Sequence, residues 1–167
     1  MVVLVMGLPG SGKSYFARKL AEALQAEYIS SDQLRKQLFP VRHYTEREKM
    51  TVYEEMLQRV KELVARGSNL VVDATFYLNR LREQFVDAVD DHVVMIEVTA
   101  PEHLIKERLQ LPRTDSEADY DVYLAIRSVW EPVQQPHLTL ESQNDNLQDM
   151  LKNALNYLHL QHDTTGA

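Results

Sequence analysis

The sequence predicts an α/β fold around a largely parallel sheet, and three observations carry that prediction. Short apolar runs alternate with helical patterns along the chain. The run Val93-Val94-Met95-Ile96 is unbroken, as in strands buried on both faces. Between the first apolar run and the first helical pattern lies Gly7-Leu8-Pro9-Gly10-Ser11-Gly12-Lys13-Ser14, a glycine-rich turn of the G-x-x-x-x-G-K-[ST] kind.

The elements follow in order. Val2 to Met6 reads as the first strand and Lys13 to Leu24 as the helix after the glycine turn. Tyr28-Ile29-Ser30 is a short second strand. Thr45-Glu46-Arg47-Glu48 has the form of a capping box and opens a long helix with Tyr53, Met56, Leu57 and Val60 on one face. Gly67 sits where its C-cap belongs. Leu70 to Val72 is a third strand, ending at Asp73, and Arg80 to Val89 a shorter helix. Val93 to Val98 is the fourth strand. Pro101 is placed at the first turn of a helix reaching about Leu109. The polar stretch from Leu111 to Asp119 contains Pro112 and reads as a mobile connection. A helix over Asp119 to Val133, a weak fifth strand over His137 to Leu140 and a last helix over Asn146 to Leu160 complete the chain. The expected organisation is one domain over 1–161, with a lid at about 109–120 and a disordered tail over 162–167.

Composition narrows the function. A net charge of −7 over 167 residues disfavours a broad grip on extended nucleic acid, though not a local basic cleft. There is no cysteine, hence no disulfide, thiolate site or Cys nucleophile. The six histidines lack metal-ligand spacing. The apolar start is too short for a signal peptide and no run approaches a membrane span, so a cytoplasmic enzyme, monomeric, is the expectation.

The glycine turn defines the first half of a site. Backbone N–H groups from Gly7, Leu8, Pro9 (which contributes only its fixed φ), Gly10, Ser11 and Gly12 through Ser14 and Tyr15 would wrap a nucleotide's phosphates, aided by the N-terminal end of the following helix. Lys13 would reach the β- and γ-phosphates, and the Ser14 hydroxyl would hold Mg²⁺. Ligands of open α/β sheets bind beyond the carboxyl ends of the strands, which ranks the remaining candidates. Asp73 ends the third strand and suits a Mg²⁺-holding carboxylate. Asp32 follows the second strand; it is either a general base toward an acceptor hydroxyl or an ordinary helix N-cap. Arg35 lies one helical turn beyond Asp32 and shares its face. Arg108 and Arg113 flank the expected lid, where cations would close over a transferring phosphoryl group. One of Arg80 and Arg82 is a candidate to face the cleft, although surface helix arginines are the commoner case, whereas Trp130 reads as core.

The glycine turn, Ser31-Asp32-Gln33-Leu34-Arg35, Val72-Asp73-Ala74-Thr75-Phe76 with Arg82, and Trp130-Glu131-Pro132 occur in an order that resembles the P-loop kinases of the AAA-type predicted-kinase group. That group is related to the kinase domain of polynucleotide kinase and, more distantly, to zeta toxins, chloramphenicol phosphotransferase and gluconate or adenylate kinases. The resemblance implies a P-loop NTPase fold, three-layer α/β/α, with a parallel sheet of order 2-3-1-4-5 and a helical lid. It implies ATP and Mg²⁺ as cofactors, Asp32 as general base, Arg35 as the arginine that meets the acceptor, and Arg108 and Arg113, more loosely, as lid arginines. The function it points to is transfer of the γ-phosphate of ATP to a hydroxyl of a small molecule or nucleotide. Two alternatives stand beside it: a polynucleotide 5′-hydroxyl kinase, with a basic channel over Arg35, Lys36, Arg42 and Arg47, and a nucleotide-dependent switch or binding module.

Overall fold

Val2, Leu4 and Met6 of the first strand belong to one apolar cluster and Val3 and Val5 to another, so this strand is covered on both faces. In the computed structural model, which describes residues 1–89, 92–111 and 118–165, it is the central strand of the sheet. The elements run β1 (Val2–Met6), α1 (Lys13–Leu24), β2 (Glu27–Ser30), α2 (Ser31–Leu38), α3 (Glu46–Ala65), β3 (Leu70–Asp73), α4 (Asn79–Ala88), β4 (Val93–Thr99), α5 (Glu102–Gln110), α6 (Tyr120–Ser128), β5 (Leu138–Glu141) and α7 (Leu147–Thr165). All four strand pairings are parallel and the order is β2-β3-β1-β4-β5. Helices α1 and α7 cover one face, with Phe16, Leu20, Met150 and Ala154 in its core; α3 and α4 cover the other, with Val52, Met56, Leu81 and Phe85.

The local chemistry explains most boundaries. The Thr45 half of the capping box forms, with Glu48 N–H donating to Thr45 Oγ1 at 3.2 Å, while the Glu48 carboxylate reaches back to the Tyr44 N–H. At the other end of α3, Gly67 N–H bonds to Val64 O and Ser68 N–H to Leu63 O, a Schellman closure that needs the positive φ of Gly67.

Two boundaries differ from the sequence reading by more than one residue. α6 stops at Ser128 rather than Val133, because Glu131 N–H bonds instead to Tyr77 O at 2.8 Å and Pro132 disfavours helix at the residue before it. α7 runs to Thr165, so 162–165 continue the helix where a disordered tail was expected. Much of the expected lid at 109–120, including Arg113, lies outside the described residues.

Register sets the site. Asp73 pairs with Val5 on one side and with Ser30 on the other. The turn after β1, the carboxylate ending β3 and the start of α2 after β2 therefore share one rim of the sheet.

Candidate active site

The rim opens into a cavity of about 900 Å³, large for a single small ligand and ample for two. One half is the glycine turn. Gly7 has φ 153°, and a Cβ there would stand 2.3 Å from Val98 O on the neighbouring strand. Gly12 has φ 90°, and its missing side chain leaves room for Ser142. Lys13, Ser14 and the largely exposed Tyr15 begin α1 and line the cleft with Pro9, Gly10 and Gly12.

Asp73 lies beneath this turn and is 2 % exposed. Its Oδ2 accepts from Tyr28 Oη at 2.7 Å, and the Ser14 hydroxyl donates to the same carboxyl. Its Oδ1 is buried without a hydrogen-bond partner. Burial pushes the carboxyl above the ordinary range, against the pull of Lys13 and of the Ser14 and Tyr28 hydroxyls. Burial, and then Asp73 itself, raise the Tyr28 phenol. A buried carboxylate oxygen without a partner, beside a serine hydroxyl, fits a hard divalent cation. Among the described residues no group of three or more His, Cys, Asp or Glu could hold a metal, so Mg²⁺ here would rely on Ser14, Asp73, phosphate and water.

Asp32 and Arg35 form the start of the other half. Ser30, not Asp32, is the N-cap of α2, and Asp32 sits within its first turn. The N-cap alternative for Asp32 is thereby corrected. Both Asp32 and Arg35 line the cleft. Arg35 lies over the Tyr44 ring at 5.1 Å, and its Nε is buried without a partner. Tyr44 has φ 53° and donates its N–H to Glu48 Oε2 at 2.6 Å. Lys36, Arg42, Lys49, Thr75 and Tyr77 complete this wall. Lys49 pairs with Glu46 at 2.6 Å and lies over Tyr77 at 5.5 Å.

Arg108 comes from α5. Its Nη1 donates to the carbonyls of Gly10 and Ser11 at 3.4 and 3.3 Å, and its Nη2 to Asn144 Oδ1 at 3.2 Å. It therefore braces the carbonyl edge of the glycine turn while lining the cleft. Neither Arg80 nor Arg82 lines the cleft; Arg80 is an exposed helix arginine, the commoner case, but Arg82 is not at the surface either. Arg82 is fully buried; it donates to Phe76 O at 2.8 Å, to Asn79 Oδ1 and to the carbonyls of Glu131 and Pro132, under Trp130 at 5.3 Å. Phe76, at φ 50°, also donates its N–H to Tyr53 Oη at 2.9 Å.

Sequence reasoning missed Tyr28, Tyr44, Lys49, Tyr77 and the segment Ser142–Asn146. The last had a readable signal, since it follows β5 at the same rim. Tyr28 and Tyr77 had none, because their partners are distant in sequence; Tyr44 leans on the nearer Arg35 and Glu48, a contact no spacing rule marks.

Comparison with known proteins places this geometry. The structure superposes on the crystal structure of a sugar kinase from Janibacter with a TM-score of 0.75 at 15% identity, over 95% of this chain and 94% of that one. An uncharacterized protein of Mycobacterium tuberculosis is 31% identical over 87 residues, which are 45% of this chain and 18% of the relative. An adenylate kinase isoenzyme 6 homolog of Drosophila melanogaster is 30% identical over 71 residues, 41% of each chain. The chain thus spans less than half the length of these two curated relatives. A family model described as an AAA domain matches residues 2–133, the glycine turn, Asp32, Asp73 and Arg108 included, and the chain belongs to that family.

Proposed function

We propose that the protein is a kinase that transfers the γ-phosphate of ATP to a hydroxyl group. One observation carries this reading: Asp32 lines the same cavity as Lys13 and Ser14 and is not occupied as a helix cap. A nucleotide-binding module has no use for a carboxylate opposite its phosphate site, whereas a kinase needs a proton acceptor there. The likeness to a sugar kinase fold and to an adenylate kinase homolog supports it. The order of the motifs favours the kinase group that includes polynucleotide kinase.

The glycine turn's amides and Lys13 hold the ATP phosphates, and Arg108 keeps the turn's carbonyls facing away from them. Mg²⁺, when bound at Ser14 and Asp73, would neutralise phosphate charge. Asp32 accepts the proton of the acceptor hydroxyl as that oxygen forms its bond to the γ-phosphorus. The bond from that phosphorus to the β,γ-bridging oxygen breaks and ADP leaves. Lys13 meets the charge that develops on the phosphoryl oxygens, Arg35 orients the acceptor, and Arg113, outside the described residues, remains a candidate to close over the phosphates.

The test is a paired set of variants assayed with γ-labelled ATP against a metabolite pool, read by mass spectrometry. Asp32→Asn should keep ATP affinity and lose about 10²–10⁴-fold in transfer, the range for a general base. Lys13→Met should lose both. Undiminished transfer by Asp32→Asn would sink the mechanism.

A further inference from the structure

The buried carboxyl of Asp73 is paired on one side only. Its Oδ2 accepts from Tyr28 Oη at 2.7 Å, whereas Oδ1, also buried, has no hydrogen-bond partner. A buried carboxylate present for packing alone would have both oxygens paired. A carboxyl group also turns easily about its last bond, since that torsion is broad. Without a fixed partner, Asp73 could swing its bare oxygen onto the Ser14 hydroxyl, which lies close enough to bond the same carboxyl.

We infer that Tyr28 is a positioning residue for the cation site: its phenol ties down one oxygen of Asp73, so that the other is presented to Mg²⁺ beside Ser14. The inference rests on the phosphate half of the kinase reading alone and uses nothing of the acceptor half around Asp32. Among the described residues no cluster of three His, Cys, Asp or Glu could hold the ion. The one carboxylate must then be oriented from behind, as outer partners orient metal ligands elsewhere.

The sheet register brings the phenol to this place. Ser30 pairs with Asp73 and Tyr28 with Val71, so Tyr28 and Asp73 are diagonal neighbours on one face of adjacent strands. A tyrosine is long enough to cross that diagonal. Its ring is held on the way. It packs against the apolar cluster under α1 and α7, and Arg18, one turn along α1 from Ser14, lies over it at 5.9 Å. Ser30 occupies the N-cap position of α2 but makes no capping bond with its side chain. Its hydroxyl donates to the Tyr28 oxygen instead. Buried Ser30 and Tyr28 thus form a chain of hydroxyl donors that ends on Asp73 Oδ2. A tyrosine that served only packing would need neither the chain nor its end on a carboxylate.

Calorimetry on the whole chain measures the dissociation constant of a non-hydrolysable ATP analogue twice, once with saturating Mg²⁺ and once with EDTA. By linkage, the ratio of the two is the metal affinity that the protein adds to the nucleotide's own. Tyr28→Phe keeps the ring and should leave the EDTA value within twofold. Its Mg²⁺ value should weaken about tenfold, the lower end of the range for an outer partner of a metal ligand. Tyr28→Leu loses both hydroxyl and ring; it should show the same loss of metal response together with a lower Tm. Two variants of unequal packing guard against misreading a folding defect. The inference is overturned if Tyr28→Phe keeps the wild-type response to Mg²⁺, or if its two values weaken equally. It is overturned too if the response falls only in Tyr28→Leu, or if the wild-type protein gains nothing from Mg²⁺. A protein whose Mg²⁺ response depends on Tyr28 but which phosphorylates no alcohol overturns the kinase reading instead, and leaves this one standing.

Discussion

Both halves of the cleft turn on left-handed backbone, and they hold it by opposite means. In the phosphate half, positive φ falls on Gly7, Gly10 and Gly12. In the acceptor half it falls on Tyr44 and Phe76, bulky residues that avoid this region. Glycine adopts such angles without help. Tyr44 and Phe76 are held there by others: Glu48 takes the Tyr44 N–H, while Tyr53 and Arg82 take the two backbone groups of Phe76. One half is specified by its own glycines; the other needs partner side chains, from four residues away at Tyr44 to twenty-three at Phe76.

The largest expected effect comes from putting a side chain where the phosphate half relies on having none. Gly7→Ala sets a Cβ 2.3 Å from Val98 O, a backbone atom of the adjacent strand that cannot step aside. Strain at the special φ and overpacking together cost roughly 2–5 kcal/mol. Urea denaturation should show that loss, and titration with ATP should show no saturable binding. Wild-type ATP affinity in this variant would remove the glycine from the site's logic.

This contrast also explains what could be read in advance. The phosphate half is contiguous from Gly7 to Tyr15, so spacing alone marks it, and the strands before and after it confirm its setting. The sheet was equally readable, because β1 and the stretches Leu70–Val72 of β3 and Val93–Ile96 of β4 are unbroken apolar runs. The carboxylates were found by a rule about strand ends, which is local too. Arg82 shows where local reading fails. It stands three residues after Asn79 on a short polar helix and looks like surface charge. Only the return of Glu131 and Pro132, about fifty residues later, encloses it.

Arg82→Met tests the second means of control. It keeps the bulk and removes the donors to three backbone carbonyls. Stripping buried acceptors of a charged partner costs about 2–3 kcal/mol. The damage should fall on the acceptor half, which contains Thr75 and Tyr77 of the same segment. The KM for acceptor should rise severalfold while the ATP dissociation constant stays within twofold. Equal weakening of both would show that the halves are not separately built, since Thr75 O also accepts from Gly7 N–H at 3.4 Å.

Asp73 sharpens the comparison by pH. Its folded carboxyl titrates above its unfolded value because of burial. The folded protein therefore keeps this proton after the unfolded chain has released it. Stability from this group is fully present below the ordinary carboxylate range and falls as pH rises through the folded value. Asp73→Asn should remove that slope and raise Tm of the ligand-free protein at neutral pH by about 2–4 °C, the shift of ~1 kcal/mol in a domain of this size. The same variant should lose Mg²⁺-dependent transfer. A lower Tm at neutral pH would mean that the Tyr28 and Ser14 hydrogen bonds outweigh the burial of charge.

The smallest effect on stability, and the most direct comparison of the two halves, is Tyr44→Gly. It is the converse of Gly7→Ala: a side chain is removed where the fold tolerates one against backbone preference. Relief of the left-handed angle is worth about 1–3 kcal/mol. Against it stand the extra entropy of a glycine in the unfolded chain, roughly 0.5–1 kcal/mol, and the ring on Arg35, about 0.5–1 kcal/mol at an accessible site. The terms nearly cancel, so thermal unfolding should move by only a few degrees. Acceptor binding should not be spared in the same way. Without its ring, Arg35 has more freedom and the segment carrying Arg42 is less fixed, so acceptor KM should rise severalfold with ATP affinity unchanged. Tyr44→Phe keeps the ring and should stay near wild type. If Tyr44→Gly left acceptor KM unchanged, the strained tyrosine would be an accident of the capping box and not part of how this half of the cleft is shaped.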